Sequence, residues 1–147
     1  MRALGEPFYD RVEAGDLLAE ALTEYRGSDA LVMAIPRGGV VVGYRVAEAL
    51  ALELDVIVPR KVRAPDQPEL AIGAVASWGG SKAILDERAI HYLRVSDRYL
   101  ETEVEYQLDE VDRRLVAYRG STAPPNIKDR TVLLVDDGVA TGYTTRA

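Results

Sequence analysis

Three continuous apolar runs constrain the fold of this chain more than any other feature. They are ALVMAI (30–35), DVIVP (55–59) and RTVLLV (130–135). Such runs are typical of parallel strands that are buried on both faces of a sheet. Residues 40–52, between the first two runs, have the apolar spacing of a helix. The succession of strand, helix and strand predicts an α/β fold, with a parallel sheet flanked by helices.

Further helices and strands are predicted around these runs. The apolar spacing indicates an amphipathic helix over residues 7–26 and a long helix over 97–118, which Ser96 is placed to cap. Between them, ELAIGAVA (69–76) and KAIL (82–85) are predicted to be strands, and Asp86 is placed to cap a short helix over 87–94. Residues 60–68 contain two prolines and three basic residues, so we interpret that segment as a loop.

The composition excludes several classes of function. A net charge of −6 without a basic tail or stripe disfavours a nucleic-acid partner. The chain has no cysteine, which excludes thiolate chemistry, and its single His91 excludes a multi-histidine metal site. No stretch is apolar and long enough to span a membrane, and the N-terminus lacks the apolar core of a signal peptide. We therefore expect a cytoplasmic protein with no membrane partner.

Ligands of parallel α/β sheets bind beyond the carboxyl ends of the strands, and an unusual segment follows the last run there. It reads DDGVATGYTT (136–145). Adjacent carboxylates such as Asp136 and Asp137 repel each other unless a cation or hydroxyl groups engage them. The small residues that follow suit a phosphate cradle, because glycine lets backbone N–H groups approach an anion. A ribose phosphate fits both features, and an Asp-Asp-Gly turn before a capped helix is the alternative.

Two other strand exits carry cations. PRGG (36–39) follows the first run, so Arg37, Gly38 and Gly39 are candidates to hold an anion. The alternative is a strand–helix turn that needs glycine, with Arg37 on the surface. Arg60, Lys61 and Arg63 follow the second run and are suited to close over a phosphate or pyrophosphate. The alternative for each is a solvated charge, most of all for Arg63.

VLLVDDGVATGYTT (132–145) resembles the signature of the type I phosphoribosyltransferases, which is a hydrophobic strand, two acidic residues and a small-residue loop ending in Thr or Ser. PRGGV resembles the pyrophosphate loop of that family, and PRK resembles the basic exit of its second core strand. The chain is similar to a bacterial subgroup with the pattern IPRGGV…RK…PELAIGAVA…VDDGxATGxT. The resemblance runs from about residue 8 to the end.

The resemblance implies a donor, phosphoribosyl pyrophosphate (PRPP), with Mg²⁺ as cofactor. Asp136 and Asp137 would be catalytic and would engage the ribose 2- and 3-hydroxyls, directly or through the metal. Arg37, Gly38 and Gly39 would bind the pyrophosphate, and catalytic Arg60 and Lys61 would approach it. The 5-phosphate would lie in a loop formed by Gly138, Val139, Ala140, Thr141, Gly142, Tyr143, Thr144 and Thr145.

A nitrogenous base would then displace pyrophosphate at the anomeric carbon, a reaction that needs no protein nucleophile. The implied fold is Rossmann-like and type I phosphoribosyltransferase-like, with an inserted hood over 69–118. We expect a single domain over 1–147 whose C-terminal portion is missing. In the family, a helix normally begins after the acidic motif and is followed by a further strand and helix. Such a chain exposes apolar sheet surface, so a homodimer is expected.

The alternatives belong to other classes. One is a regulator that binds PRPP or a nucleotide without turnover, and another is the family fold with its activity lost. A phosphate-binding α/β domain unrelated to PRPP is the third. Arg60 and Lys61 on a mobile loop favour the enzyme, because a closing basic loop shields a reaction from water. The motifs do not identify the acceptor base.

Overall fold

The computed structural model describes residues 7–77 and 81–138, and for Ser77, Ser81 and Lys82 it describes the backbone alone. These residues form two compact units. The first holds residues 7–56 and 125–138, and the second holds 57–77 and 81–124. The helices are α1 (Arg11–Ala21), α2 (Gly38–Leu50), α3 (Glu87–Tyr92) and α4 (Asp97–Arg119). The strands are β1 (Leu31–Ala34), β2 (Glu53–Val56), β3 (Arg60–Ala64), β4 (Gln67–Ser77), β5 (Ser81–Leu85) and β6 (Val132–Val135).

The first unit is built on a three-stranded parallel sheet in the order β2-β1-β6. This confirms the predicted α/β fold with a parallel sheet. All four residues of β1 are buried, as its continuous apolar sequence predicts. Helix α2 packs its apolar side on the sheet, and a core forms there from Val42, Val46 and Leu50 with Val32 of β1 and Val135 of β6.

Local signals place the start of α1. The side chain of Asp10 accepts a hydrogen bond from the backbone N–H of Glu13 at 2.9 Å, which is the geometry of an N-cap. Arg11 is therefore the first helical residue. Helix α1 packs along α2, where the guanidinium of Arg45 lies 2.7 Å from the carboxylate of Asp16.

The second unit combines an antiparallel sheet, β3-β4-β5, with the two remaining helices. Helix α4 packs on β3 and β4 through a stripe in which Val111 and Leu115 are buried. Ser96 caps this helix by accepting a hydrogen bond from the N–H of Tyr99. Gly120 ends it with a φ of 75°, a left-handed conformation that glycine adopts at little cost. The caps expected at Asp86 and Ser96 are confirmed.

The predicted loop over 60–68 is wrong, because Arg60–Ala64 is a strand paired with β4. Val62 and Ala64 are buried while Lys61 and Arg63 are exposed, which is the alternation of a half-buried strand. Pro65 lies in the turn after β3, and Pro68 is the second residue of β4. The β3–β4 pairing shifts register just before the turn, between Val62 and Ala64.

Several predicted boundaries also move. The second run forms a strand at Glu53–Val56 rather than over 55–59, at the edge of its sheet and only partly buried. The first predicted helix, 7–26, divides into Arg11–Ala21 and a 3₁₀ turn over Thr23–Tyr25. The hood predicted over 69–118 falls within the second unit, and its role stays a prediction. None of the helices in the described ranges is apolar over the length that a bilayer crossing requires.

Candidate functional site

Two strand exits meet at one edge of the parallel sheet. Strands β1 and β6 are paired in parallel, so the loops that follow Ala34 and Val135 emerge side by side. A Cβ on Gly39 would lie 3.0 Å from the Cα of Asp136, and a Cβ on Gly38 would overlap the carboxylate oxygen Oδ2 of Asp137. The structure therefore brings together the predicted pyrophosphate glycines and the predicted ribose carboxylates.

The two carboxylates differ in environment. The backbone N–H of Asp137 donates to Oδ1 of Asp136 at 2.8 Å. Partial burial raises the pKa of Asp136 above its ordinary value. A hydrogen bond from Arg11 lowers the pKa of Asp137 below its ordinary value. The second carboxylate is therefore held ionised more firmly than the first.

Arg11 is a site residue that the sequence did not reveal. Its Nε lies 2.8 Å and its Nη2 lies 2.6 Å from the same oxygen, Oδ2 of Asp137. The Arg11 side chain is 58% exposed and that of Asp137 is 30% exposed. The partners are 126 positions apart, so no local pattern connects them. The one available signal was the position of Arg11 at the start of α1, directly after the Asp10 cap.

A cavity of about 410 Å³ opens beside this ion pair. Its volume lies within the range of roughly 300–1,000 Å³ that is typical of small-molecule pockets. Its lining combines four apolar residues with one arginine and three aspartates. The lining residues are Phe8, Asp10, Arg11, Ala14, Leu18, Val42, Asp136 and Asp137.

The glycine loop leads directly into a helix. Arg37 is exposed, it follows a cis peptide bond at Pro36–Arg37, and α2 begins at the next residue, Gly38. The first N–H groups of a helix have no partner within it, and the helix dipole adds positive potential there. This end of α2 is thus suited to an anion next to the two carboxylates.

Arg60 and Lys61 lie on β3 in the second unit, not on a free loop. Lys61 is exposed, whereas Arg60 is partly buried and its Nε donates to Oε1 of Gln107 at 3.0 Å. Burial, followed by the charges of Arg114 and Arg63, lowers the pKa of Arg60. The proposed catalytic role of both cations stays a prediction.

Gln107 was also missed in the sequence. It is 1% exposed, and its Nε2 donates to Oε1 of Glu103 at 2.9 Å. Its position was the available signal, because residue 107 lies three after Val104 and four before Val111 on the predicted apolar side of the long helix. A polar residue there is buried and needs partners.

Arg63 is exposed, which fits its interpretation as a solvated charge. Its backbone is held to α4, since its N–H donates to Glu103 and its carbonyl accepts from the hydroxyl of Tyr99.

Of the predicted 5-phosphate loop, Gly138 is exposed, and Val139 to Thr145 lie outside the described residues.

The part of the chain that the structure describes contains no group of three or more His, Cys, Asp or Glu placed to hold a metal ion. Asp136 and Asp137 supply carboxylate oxygens, the ligand type that Mg²⁺ prefers. Mg²⁺ commonly binds through one or two carboxylates together with substrate phosphates and waters. The donor set therefore fits a Mg²⁺ ion that is shared with a bound substrate.

Together these features define an α/β protein in which an acidic strand exit and a glycine-rich strand exit share one edge of a parallel sheet. A family model described as the phosphoribosyl transferase domain matches residues 9–147. The chain belongs to this family, which confirms the resemblance to the type I phosphoribosyltransferases.

Similar proteins have been named in two organisms. Proteins from two strains of Mycobacterium tuberculosis, each named "Putative phosphoribosyl transferase", are 36% identical over 140 residues, which is 95% of this chain. The chain spans 31% of their length. The crystal structure of TT1426 from Thermus thermophilus is 46% identical, with a TM-score of 0.73 over 97% of this chain and 66% of that one.

Proposed function

We propose that this protein transfers the phosphoribosyl group of PRPP to a nitrogenous base and releases pyrophosphate, with Mg²⁺ as cofactor. The observation that carries the proposal is the contact between the Asp136–Asp137 pair and the Gly38–Gly39 loop at one sheet edge. A donor that joins a ribose diol to a pyrophosphate needs both groups side by side. Membership in the phosphoribosyl transferase domain family supports the same donor.

The geometry suits the charges that develop during transfer. The bond between the anomeric carbon and the pyrophosphate oxygen breaks, and its electron pair leaves with the pyrophosphate. Positive charge then grows on the sugar, where ionised Asp137 and its neighbour Asp136 stabilise it. Negative charge grows on the leaving group, next to the N–H groups at the start of α2. The lone pair of the base nitrogen forms the new bond to carbon, and a proton carried by that nitrogen passes to solvent.

Mg²⁺, when bound, supplies positive charge that offsets the charge of the pyrophosphate oxygens. Asp136 and Asp137 would hold it, directly or through the ribose hydroxyls.

We also propose, from the sequence, a cytoplasmic location, a homodimer and no nucleic-acid partner.

One observation favours a second candidate, a PRPP- or nucleotide-binding regulator without turnover. Arg60 lies on a strand and its Nε donates to buried Gln107, so this cation is not on a mobile loop that could close over a reaction. The carboxylate pair and the glycine loop serve binding equally well in a regulator. Turnover therefore separates the two candidates.

The test is an assay of pyrophosphate release from PRPP and Mg²⁺ with a panel of nitrogenous bases. Release that depends on a base and is lost in the D136N/D137N double variant supports transfer. The control variant is D112N, which alters an exposed carboxylate on α4 and should retain the activity. PRPP binding without release under any base supports the regulator, and the absence of both binding and release overturns the proposal.

A further inference from the structure

Arg11 lies where the two predicted parts of the donor site meet. Its guanidinium binds Oδ2 of Asp137 through two nitrogens. Its Nε would also lie 2.8 Å from a Cβ on Gly38, so it stands over the first residue of the glycine loop. No motif in the sequence assigns a role to this residue. The inference drawn from it rests on the proposed function.

The charge balance changes when a donor enters this site. Without a donor, Arg11 partly offsets the charge of the two carboxylates. With a donor bound, ribose hydroxyls and Mg²⁺ engage the same carboxylates. These ligands compete with the guanidinium and weaken its ion pair with Asp137. A multiply charged anion then lies along the loop that Arg11 already overhangs. The planar fork of arginine matches phosphate oxygens as well as it matches a carboxylate.

We propose that Arg11 is a pyrophosphate-binding residue that exchanges partners. It binds Asp137 in the free site and a pyrophosphate oxygen of PRPP in the occupied site. Its exposed side chain leaves room for this movement. The exchange adds a cation for the leaving group within the same unit as the carboxylates and the glycine loop.

The alternative is that Arg11 only positions Asp137, and the two roles differ in which half of the donor they affect. If Arg11 binds pyrophosphate, its removal weakens pyrophosphate binding and frees the carboxylate for ribose. If it only orients Asp137, its removal weakens ribose binding and leaves pyrophosphate binding unchanged. Separate titrations of the two halves therefore distinguish them.

The experiment titrates inorganic pyrophosphate and, separately, ribose 5-phosphate into the chain, each with Mg²⁺, for the wild type, R11Q and R45Q. Arg45 is the matched control, because it also pairs with a carboxylate on α1, Asp16, and lies on α2 away from the strand exits. We expect R11Q to weaken pyrophosphate binding roughly tenfold or more, the scale of a lost charge-assisted hydrogen bond. Ribose 5-phosphate affinity should hold or rise, and R45Q should change neither.

Unchanged pyrophosphate affinity in R11Q, or a loss confined to ribose 5-phosphate, overturns the proposal. Titration of PRPP into the same variants separates this outcome from a failure of the proposed function. Saturable PRPP binding by the wild type, together with unchanged pyrophosphate affinity in R11Q, keeps the proposed donor site and removes Arg11 from it. A folded wild type that binds neither PRPP nor pyrophosphate overturns both the proposed function and the proposed role of Arg11.

Discussion

The backbone of Gly38 lies against the carboxylate of Asp137, so closely that a Cβ on residue 38 would overlap its Oδ2. Gly38 begins α2 after β1, and Asp137 follows β6, so the contact joins the exits of two neighbouring strands. Glycine at this position lets the acidic pair and the helix N-terminus approach the same ligand. The close approach makes the spacing between the two loops sensitive to a single methyl group.

G38A tests that spacing directly. The added methyl group must displace Asp137 or the loop, and a displacement of about 1 Å can cost on the order of 10²-fold in a function that depends on geometry. We expect PRPP binding, measured by calorimetry, to fall steeply while the fold is retained. The control is G120A, which meets no atom within 4 Å but has a φ of 75°. That variant should lower the melting temperature and leave PRPP affinity unchanged, and a G38A chain with wild-type affinity would contradict the account.

The pairing of Arg11 with Asp137 should appear in the dependence of stability on pH. The pKa of Asp137 is lowered from 3.8 by Arg11 in the folded chain. The ion pair therefore stabilises the fold at pH values above 3.8, and this contribution is lost as the pH falls through the lowered folded pKa. Because the pair is partly exposed, the contribution is no more than about 1 kcal/mol.

Urea unfolding of the wild type and R11Q between pH 2 and pH 7 measures this difference. The wild type should be slightly more stable near neutral pH, and the two curves should converge in acid. The raised pKa of Asp136 has the opposite effect on stability, because burial of this carboxyl favours its protonated form and stability falls as it ionises. This effect is present in both the wild type and R11Q. A stability difference that stays constant down to the lowest pH would rule out the ion pair as its source.

Gln107 is expected to matter for stability, because its amide connects Arg60 of β3 with Glu103 of α4. Q107L places an apolar side chain of similar size in the buried position but leaves the partly buried Arg60 Nε without this acceptor. The cost of such a group is roughly 1–3 kcal/mol. Q67L replaces an exposed glutamine at the start of β4 and should change the free energy of unfolding by less than about 0.5 kcal/mol. Equal stability of Q107L and the wild type would show that the buried amide contributes nothing.

The parallel sheet and the acidic strand exit were predictable because they rest on local signals. The apolar runs LVMA and VLLV both form strands, and parallel pairing places Gly38 and Asp137 at the same edge. The burial expected of such runs holds throughout LVMA but not in VLLV, where Val132 and Leu134 are exposed. The caps at Asp86 and Ser96 follow from side-chain chemistry within three residues of each helix start.

What the sequence did not reveal depends on distant partners. Arg60–Ala64 looked like a loop because its charges and the prolines that follow it outweighed the short alternation of Val62 and Ala64. Its pairing with β4 shows that it is a strand. Arg11 and Asp137 are 126 residues apart, and only the packing of α1 brings them together. Gln107 sat visibly on an apolar helical face, but its partner Arg60 is 47 residues away.

Titration of PRPP into the 147-residue chain by calorimetry, with and without Mg²⁺, tests the central claim most directly. The account predicts saturable binding that requires Mg²⁺ and that disappears in D136N/D137N, while circular dichroism shows the fold of the double variant to be retained. Unchanged affinity in the double variant, or a folded wild-type chain that shows no saturable binding, would contradict the assignment of the acidic pair to the ribose of the donor.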